Sequence, residues 1–420
     1  MTQPGRNVVI ACQGGGSHSA FGAGVLGRLL GAPELAGHRV TGISGTSGGA
    51  ICALLAWTAL RDGDPSAAAA RLDAFWEDNA ADGIAAGVLN AGTVAAGVLQ
   101  NLDALPGVSP YAVPEFAAAA FRELLERHVD FTRIAADPDA AFPLLVMGAV
   151  DVLTGDFRAF SSRRERITVD SVAASAAIPN LFRAVTTAGG TYWDGLFSQN
   201  PPVRDLLAAL PDELWVVQIT PSTVDEVPRT LTEIADRRGE LSGNLSLYQE
   251  LAFVETLNAL IDDGRLSPGG EIGRTVVRVI ELPRSVLPRT LGAASKLDRS
   301  PAFLHRLRDA GRGQADRFLA ALEFERAWTG GDAAAVRKLA ADEATLVSDT
   351  PFPPHGRGTR ARVHDVVDDV LAAATLDTAR IQRVGDDVVW AARRDDHRGV
   401  ISARFDDRGG LTGLHLGRRR

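Results

Sequence analysis

The stretch Arg39-Val40-Thr41-Gly42-Ile43-Ser44-Gly45-Thr46-Ser47-Gly48-Gly49, running on into Ala50–Leu60, decides the fold. Arg39–Ser44 reads as a strand and Ala50–Leu60 as a buried helix. Between them, Gly45-Thr46-Ser47-Gly48-Gly49 fits G-x-S-x-G. A strand-to-helix turn this sharp strains the serine backbone and tolerates no side chain close by, so glycine is needed on both flanks. It lifts the hydroxyl above the sheet edge, beside a helix N-terminus whose dipole favours negative charge. Ser47 is therefore the candidate nucleophile, supported by Gly45 and Gly48. The competing reading is a glycine-rich helix start capped by Ser47.

Upstream, Asn7–Cys12 is a short apolar strand, Gly14-Gly15-Gly16 follows, and Ser19–Leu30 repeats apolar residues at helical spacing. Consecutive glycines present backbone N–H groups to a ligand, either a phosphate or a developing oxyanion. A dinucleotide loop would need glycine where Ser19 stands, and Glu34 lies in a loop rather than at a strand end. The oxyanion reading of Gly14, Gly15 and Gly16 is the better one. Downstream, Pro143–Val152 and Phe157–Ser161 read as paired strands, and Thr168–Ala177 as a helix stopped by Pro179. Thr191-Tyr192-Trp193 leads into Asp194-Gly195, and Leu214–Thr220 and Arg274–Leu282 are further strands. Pro228–Gly264 and Pro301–Leu322 are helical. Strands alternating with helices predict an α/β fold with a mostly parallel sheet covered on both faces.

Of the eight histidines, six follow Ser47, and none sits in a glycine-flanked strand-end loop of the main domain. His128 and His305 lie in Arg-rich helical stretches; His355, His364, His397 and His415 fall near the C-terminus. A Ser-His-Asp arrangement thus has weak support, although it predicts a distinct outcome: loss of activity on changing one downstream histidine. The better base is Asp194. A buried carboxylate against a serine hydroxyl takes its proton once burial raises its pKa toward neutrality.

Composition narrows the class. The 420 residues are 45 % hydrophobic and 23 % charged, with a net charge of −8. This describes a folded chain and excludes disorder throughout; it gives no support to nucleic-acid binding. Cys12 and Cys52 are too few for a disulfide framework or a cysteine-rich zinc site. Lys296 and Lys338 are the only lysines, and neither sits in a phosphate loop. No metal or cofactor is expected, and without a D-x-D-x-D loop neither is calcium dependence. Gly83–Leu102 has the length of a bilayer span but is mostly Gly and Ala with Asn90, Thr93, Gln100 and Asn101, so it reads as a packed helix or cap near the substrate. Met1–Arg6 lacks a signal pattern, and a cytoplasmic setting is expected.

Composition shifts near Phe324. Gly330-Gly331-Asp332 separates two helices, Thr359–Ala374 forms a third, and four alternating runs follow: Thr378–Val384, Val388–Arg394, Val400–Phe405 and Leu411–Leu416. This predicts a hydrolase domain at 1–322 and a small α+β domain at 323–420. The latter carries 16 basic and 16 acidic residues, which leaves the whole negative charge on the former.

Four ordered segments resemble the patatin-like phospholipases. Gln13-Gly14-Gly15-Gly16-Ser17-His18-Ser19-Ala20-Phe21 is similar to the family's oxyanion loop, and Gly45-Thr46-Ser47-Gly48-Gly49 to its nucleophile elbow. Ala174-Ser175-Ala176-Ala177-Ile178-Pro179 is similar to its Ala-Ser-x-Ala-x-Pro segment, and Asp194-Gly195 with Asn200-Pro201 to its aspartate block. The resemblance spans roughly residues 7–320. It implies a three-layer α/β/α fold and a lipid acyl hydrolase of phospholipase A or lysophospholipase type. Ser47 would be the nucleophile, Asp194 the base, Gly14–Gly16 the oxyanion loop, and His18, Gly45, Gly48 and Gly195 supporting residues. The family usually has Arg or Lys, then Gly, where this chain has His18 and Ser19. By element order the C-terminal part resembles the SnoaL/NTF2-like cone fold. The implied partners are an acyl-ester lipid, a transient membrane-surface contact, and a second copy through the C-terminal domain. A rival from another class is a catalytically weak lipid-binding or scaffold protein that uses the C-terminal domain for interactions.

Overall fold

The computed structural model describes residues 5–101, 109–112, 115–179, 181–224, 226–269, 273–288, 292–377, 382–385, 387–394, 397–406 and 408–418. The chain begins with β1 (Arg6–Cys12), α1 (Ser19–Leu30), β2 (His38–Thr46), α2 (Gly48–Arg61), α3 (Ala67–Asp78), α4 (Ile84–Asn101) and α5 (Phe116–His128). It continues through β3 (Leu144–Asp151), β4 (Phe157–Ser161), α6 (Val169–Ser175), β5 (Val185–Thr187), β6 (Gly190–Asp194), β7 (Glu213–Gln218), α7 (Leu231–Asp262), β8 (Val276–Glu281) and α8 (Pro301–Thr329). The last part holds α9 (Ala333–Leu339), β9 (Ala340–Ser348), β10 (Thr359–Arg362), α10 (Val363–Ala373), β11 (Thr375–Leu376), β12 (Gln382–Val384), β13 (Val388–Arg394), β14 (His397–Phe405) and β15 (Leu411–Arg418).

Strands β8, β7, β1, β2 and β3 lie side by side and parallel. Strand β1 shows why the sheet is buried on both faces. Val8, Ile10 and Cys12 pack into a core with α1, α2, α3 and α8, while Val9 and Ala11 face Leu247, Leu251 and Val254 of α7. A strand that is covered twice reads as an unbroken apolar run, as 8–12 does. Each fully buried Val, Leu or Ile side chain contributes about 1.5–3 kcal/mol of transfer free energy. The result is the expected three-layer α/β/α architecture. Strand β6 joins β3 antiparallel, with Asp194 opposite Ala149.

The C-terminal part contains the expected antiparallel run β12-β13-β14-β15. Residues 378–381 of its first expected strand lie outside the described residues, as do 102, 419 and 420. Three strands lie outside the expected runs, the shortest being β11, which pairs antiparallel with β13. Strand β9 pairs parallel with β15, and β10 pairs antiparallel with β9. The two parts also share one sheet, because β12 pairs parallel with β8, placing Gln382 opposite Arg278. Position 322/323, the expected boundary, falls inside α8. The helix has no reason to stop there, since Leu319, Leu322, Phe324, Ala327 and Trp328 continue its buried face and the first break is Gly330.

The junction is polar and fully buried. Arg278 Nε donates to Glu213 Oε2 at 2.8 Å, and its Nη1 and Nη2 donate to Glu325 at 2.6 and 2.9 Å. Arg278 also donates to Gln382, and Trp390 Nε1 donates to Glu325 at 3.0 Å. Residues from β7, β8, α8, β12 and β13 thus meet around one guanidinium.

Candidate active site

Ser47 sits at the turn between β2 and α2 with φ 57° and ψ −130°. A non-glycine residue pays about 1–3 kcal/mol for such a backbone, which persists only where its surroundings over-determine it. Here the Ser47 N–H donates to both the carbonyl oxygen and the Oγ of Ser175, each at 3.1 Å. Ser175 Oγ in turn donates to the Gly148 carbonyl at 2.6 Å, fastening α6 to β3. Thr46 Oγ1 and Ser44 Oγ donate to the carbonyls of Gln199 (2.8 Å) and Pro202 (2.5 Å). Gly45 meets the predicted constraint, since a Cβ there would lie 2.3 Å from the Gly49 carbonyl oxygen. Gly48 is the first residue of α2, so the helix N-terminus begins directly after Ser47.

The glycine loop lies beside this turn. The Asn200 carboxamide closes on both polar groups of Gly14. The Gly14 N–H donates to Oδ1 at 2.7 Å, and Nδ2 donates to the Gly14 carbonyl at 3.0 Å. The Gly14 N–H is thereby used, whereas those of Gly15 and Gly16 have no protein partner among the described residues. Gly16 has φ +56°, and a Cβ on it would lie 2.2 Å from the Lys296 carbonyl oxygen. Gln13 anchors the loop from behind. Its Oε1 accepts from the N–H groups of Ile219 (2.9 Å) and Thr220 (2.8 Å), and its Nε2 donates to Asn244 Oδ1 at 3.0 Å.

Asp194 ends β6 with no solvent exposure. Its N–H donates to the Ala177 carbonyl at 3.0 Å, and its Oδ1 accepts from the Leu196 N–H at 2.9 Å. Oδ2 makes no hydrogen bond of normal geometry among the described residues. Burial pushes this carboxyl up to about 7, against the opposing influence of the Leu196 N–H, the nearby Ser47 hydroxyl and the positive charge of Lys296. Gly195 backs onto Gly148 of β3.

His18 follows the loop but turns away from a charged role. Its ring stands edge-on to Phe303, and Nε2 shares a 2.8 Å hydrogen bond with Ser295 Oγ. Burial, with Lys296 nearby, pushes it down to about 3, so it is neutral near pH 7. Four other histidines pair with acidic groups or carbonyls elsewhere: His128 with Asp78, His355 with Asp369, His364 with Ala340 and His415 with Asp349. His305 shares a hydrogen bond with Arg308. Among the described residues, no cluster of three or more His, Cys, Asp or Glu could hold a metal ion.

Helix α4 covers most of the expected 83–102 stretch. Asn90 is buried, its Nδ2 donating to Asp298 Oδ1 and its Oδ1 accepting from the Arg299 N–H, both at 2.8 Å. The helix therefore packs on the Gly292–Leu297 turn. Among the described residues no helix is long and apolar enough to cross a membrane.

The fold and this geometry define a three-layer α/β protein with a strained serine, a glycine loop and a buried aspartate at the carboxyl ends of the central parallel strands. Residues 10–207, which include all three, match the family model described as Patatin-like phospholipase, a match that supports a lipid hydrolase. Among solved structures, VipD from Legionella pneumophila is similar at 12 % identity, covering 80 % of this chain and 78 % of that one, with a TM-score of 0.31. No curated protein matches the chain.

Three residues that build the site have no individual role readable from the sequence: Asn200 and Ser175 stand there as members of motifs, and Lys296 as a lysine outside any phosphate loop. The signal available for Lys296 was its rarity.

Proposed function

We propose that the protein hydrolyses acyl esters of lipids through Ser47 and Asp194. Ser47 Oγ attacks the ester carbonyl while its proton passes to Asp194 Oδ2. The tetrahedral oxyanion accepts hydrogen bonds from the N–H groups of Gly15 and Gly16, and collapse transfers the proton to the departing alcohol. Asp194 then takes a proton from water as that water attacks the acyl-serine ester, and on collapse returns it to the departing Ser47 Oγ, releasing the fatty acid and regenerating both residues. The observation that carries this reading is the buried Asp194 beside a strained Ser47, with Oδ2 unpartnered. A base held near neutrality suits proton transfer at physiological pH. The test is Ser47-dependent labelling by a fluorophosphonate and hydrolysis of p-nitrophenyl esters. Wild-type rates in Ser47→Ala would refute it.

A transient lipid-surface contact fits the same reading. Ile84, Val88 and Leu89 on α4 and Leu231, Ile234, Leu241 and Leu245 on α7 are exposed, and both helices contact the Gly292–Leu297 turn above the glycine loop. Vesicle co-sedimentation should weaken when Ile84 and Leu89 become serine. Buried, unpaired Cys12 and Cys52 fit a cytoplasmic setting. We further infer self-association through residues 323–420, testable by sedimentation velocity. The scaffold reading draws on one feature: Ser47 is only 5 % exposed. Absence of fluorophosphonate labelling would favour it.

A further inference from the structure

The glycine loop has no charged side chain of its own. His18 is neutral and hydrogen-bonded to Ser295. The cation at this loop comes instead from the distant Gly292–Leu297 turn. Lys296 runs its side chain along Gly15, so that a Cβ on that glycine would lie 3.7 Å from Lys296 Cδ and 3.5 Å from Cε. Its carbonyl oxygen comes closer still to Gly16, 2.2 Å from where a Cβ would stand. The turn is braced internally, with Ser295 Oγ donating to the Gly292 carbonyl at 2.6 Å, and fixed from two sides: Ser295 meets His18, and Leu297 lies against Gly97 of α4.

The charged and titratable surroundings of Lys296 are few. From β6 it feels Asp194, from the loop His18, and from α7 Asp236 and Glu240. Glu240 is already held by Arg284 at 2.7 Å and Arg237 at 3.0 Å. Helix α4 presents no charged residue. Among the described residues Lys296 forms no ion pair. Burial lowers its pKa, and the three carboxylates oppose that shift.

We propose that Lys296 is the electrostatic partner of the oxyanion loop: it favours the ionised form of Asp194 before attack and stabilises the oxyanion at Gly15 and Gly16 afterwards. As the proton moves from Ser47 to Asp194, negative charge transfers from the carboxylate to the substrate oxygen. A cation beside both sites favours each state without moving. Lys296 is a positioning residue acting through Asp194 and the loop, and the inference rests on the hydrolase reading above.

The experiment uses the full-length chain with Lys296→Met, Lys296→Arg and Ser47→Ala, measuring kcat/KM for p-nitrophenyl butyrate from pH 5 to 9 and thermal unfolding alongside. Without the cation, Asp194 binds its proton more tightly. The acid limb of Lys296→Met should therefore move up by about 1 pH unit. The plateau should fall about 10- to 100-fold, at or below the usual loss of one oxyanion-hole donor. Lys296→Arg should keep the wild-type limb. An unmoved limb in Lys296→Met overturns the proposal, whether or not the rate falls. Equal rate losses in both variants with the wild-type limb would show a purely structural role and overturn it as well. Wild-type activity in Ser47→Ala would overturn the hydrolase reading and this inference together; a silent Ser47→Ala beside an unmoved Lys296→Met limb overturns this inference alone.

Discussion

Asp194 and Glu213 are carboxylates of one sheet, each with no solvent exposure, yet their surroundings drive them in opposite directions. Burial alone would raise both. At Glu213 it is overcome by the charge and hydrogen bonds of Arg278, with Trp215 Nε1 (2.8 Å) and Arg6 Nη1 (2.6 Å) adding donors, so the carboxyl is drawn down to about 2. At Asp194 one N–H, that of Leu196, donates, the Ser47 hydroxyl and the Lys296 charge lie nearby, and burial prevails, so the carboxyl rises to about 7. Pairing, rather than burial, separates a structural acid from one able to accept a proton. The same contrast holds for the two regions. The junction between the sheet halves has its charges satisfied, while the turn carrying Ser47 has a strained backbone and, beside it, an open acceptor on Asp194.

The strongest way to break this comparison is at the reactive end. Ser47→Ala and Asp194→Asn should each lower kcat/KM for p-nitrophenyl esters by ~10³-fold or more, as expected for groups acting as one unit. At the junction, Arg278→Met leaves buried Glu325 without its cation and Glu213 with Arg6 alone, and should cost about 3–5 kcal/mol in urea unfolding. Ester hydrolysis well below its Tm should be retained.

Titration sharpens the contrast. The folded pKa of Asp194 is raised, so its unfavourable contribution grows as pH rises from 3.8 to about 7 and is complete above that. Asp194→Asn should therefore be more stable than wild type at pH 8, by ~2–4 kcal/mol, and equal to it near pH 4. The folded pKa of Glu213 is depressed, so its stabilising contribution is present above 4.5 and is lost as pH falls toward about 2. Glu213→Gln should show a flatter loss of stability across that acid range. The smallest effect is expected at Asn200. Asn200→Ala frees the Gly14 N–H and carbonyl and should slow fluorophosphonate labelling about tenfold, or ~1.4 kcal/mol, with stability changing by ~1–3 kcal/mol.

The parts of the site legible in the sequence are those whose constraints are local. The glycine flanking Ser47, the run Gly14–Gly16 and the turn Asp194-Gly195 follow from what the backbone must do within a few residues. The three-layer fold was legible for a related reason, because double burial writes itself into each strand as an apolar run. Asn200, Ser175 and Lys296 were illegible as to role, since each acts on a segment between 128 and 281 residues away. The shared sheet was hidden similarly. Strand β12 is short, and its parallel pairing to β8 has no turn or periodic pattern to announce it. Strand β9 was missed because the helical pattern of Ala333–Leu339 runs into it without a glycine or proline.

The β8–β12 pairing also sets an order of events for the growing chain. Until residues 382–384 are in place, β8 is the outermost strand of the parallel sheet, with one row of backbone N–H and C=O groups unpaired and Val277, Val279 and Ile280 beside it. Such an edge is a template for pairing with another chain. The C-terminal quarter of the molecule, which carries none of the proposed chemistry, thus acts as the seal of the sheet, and fragments ending before β12 should aggregate through β8.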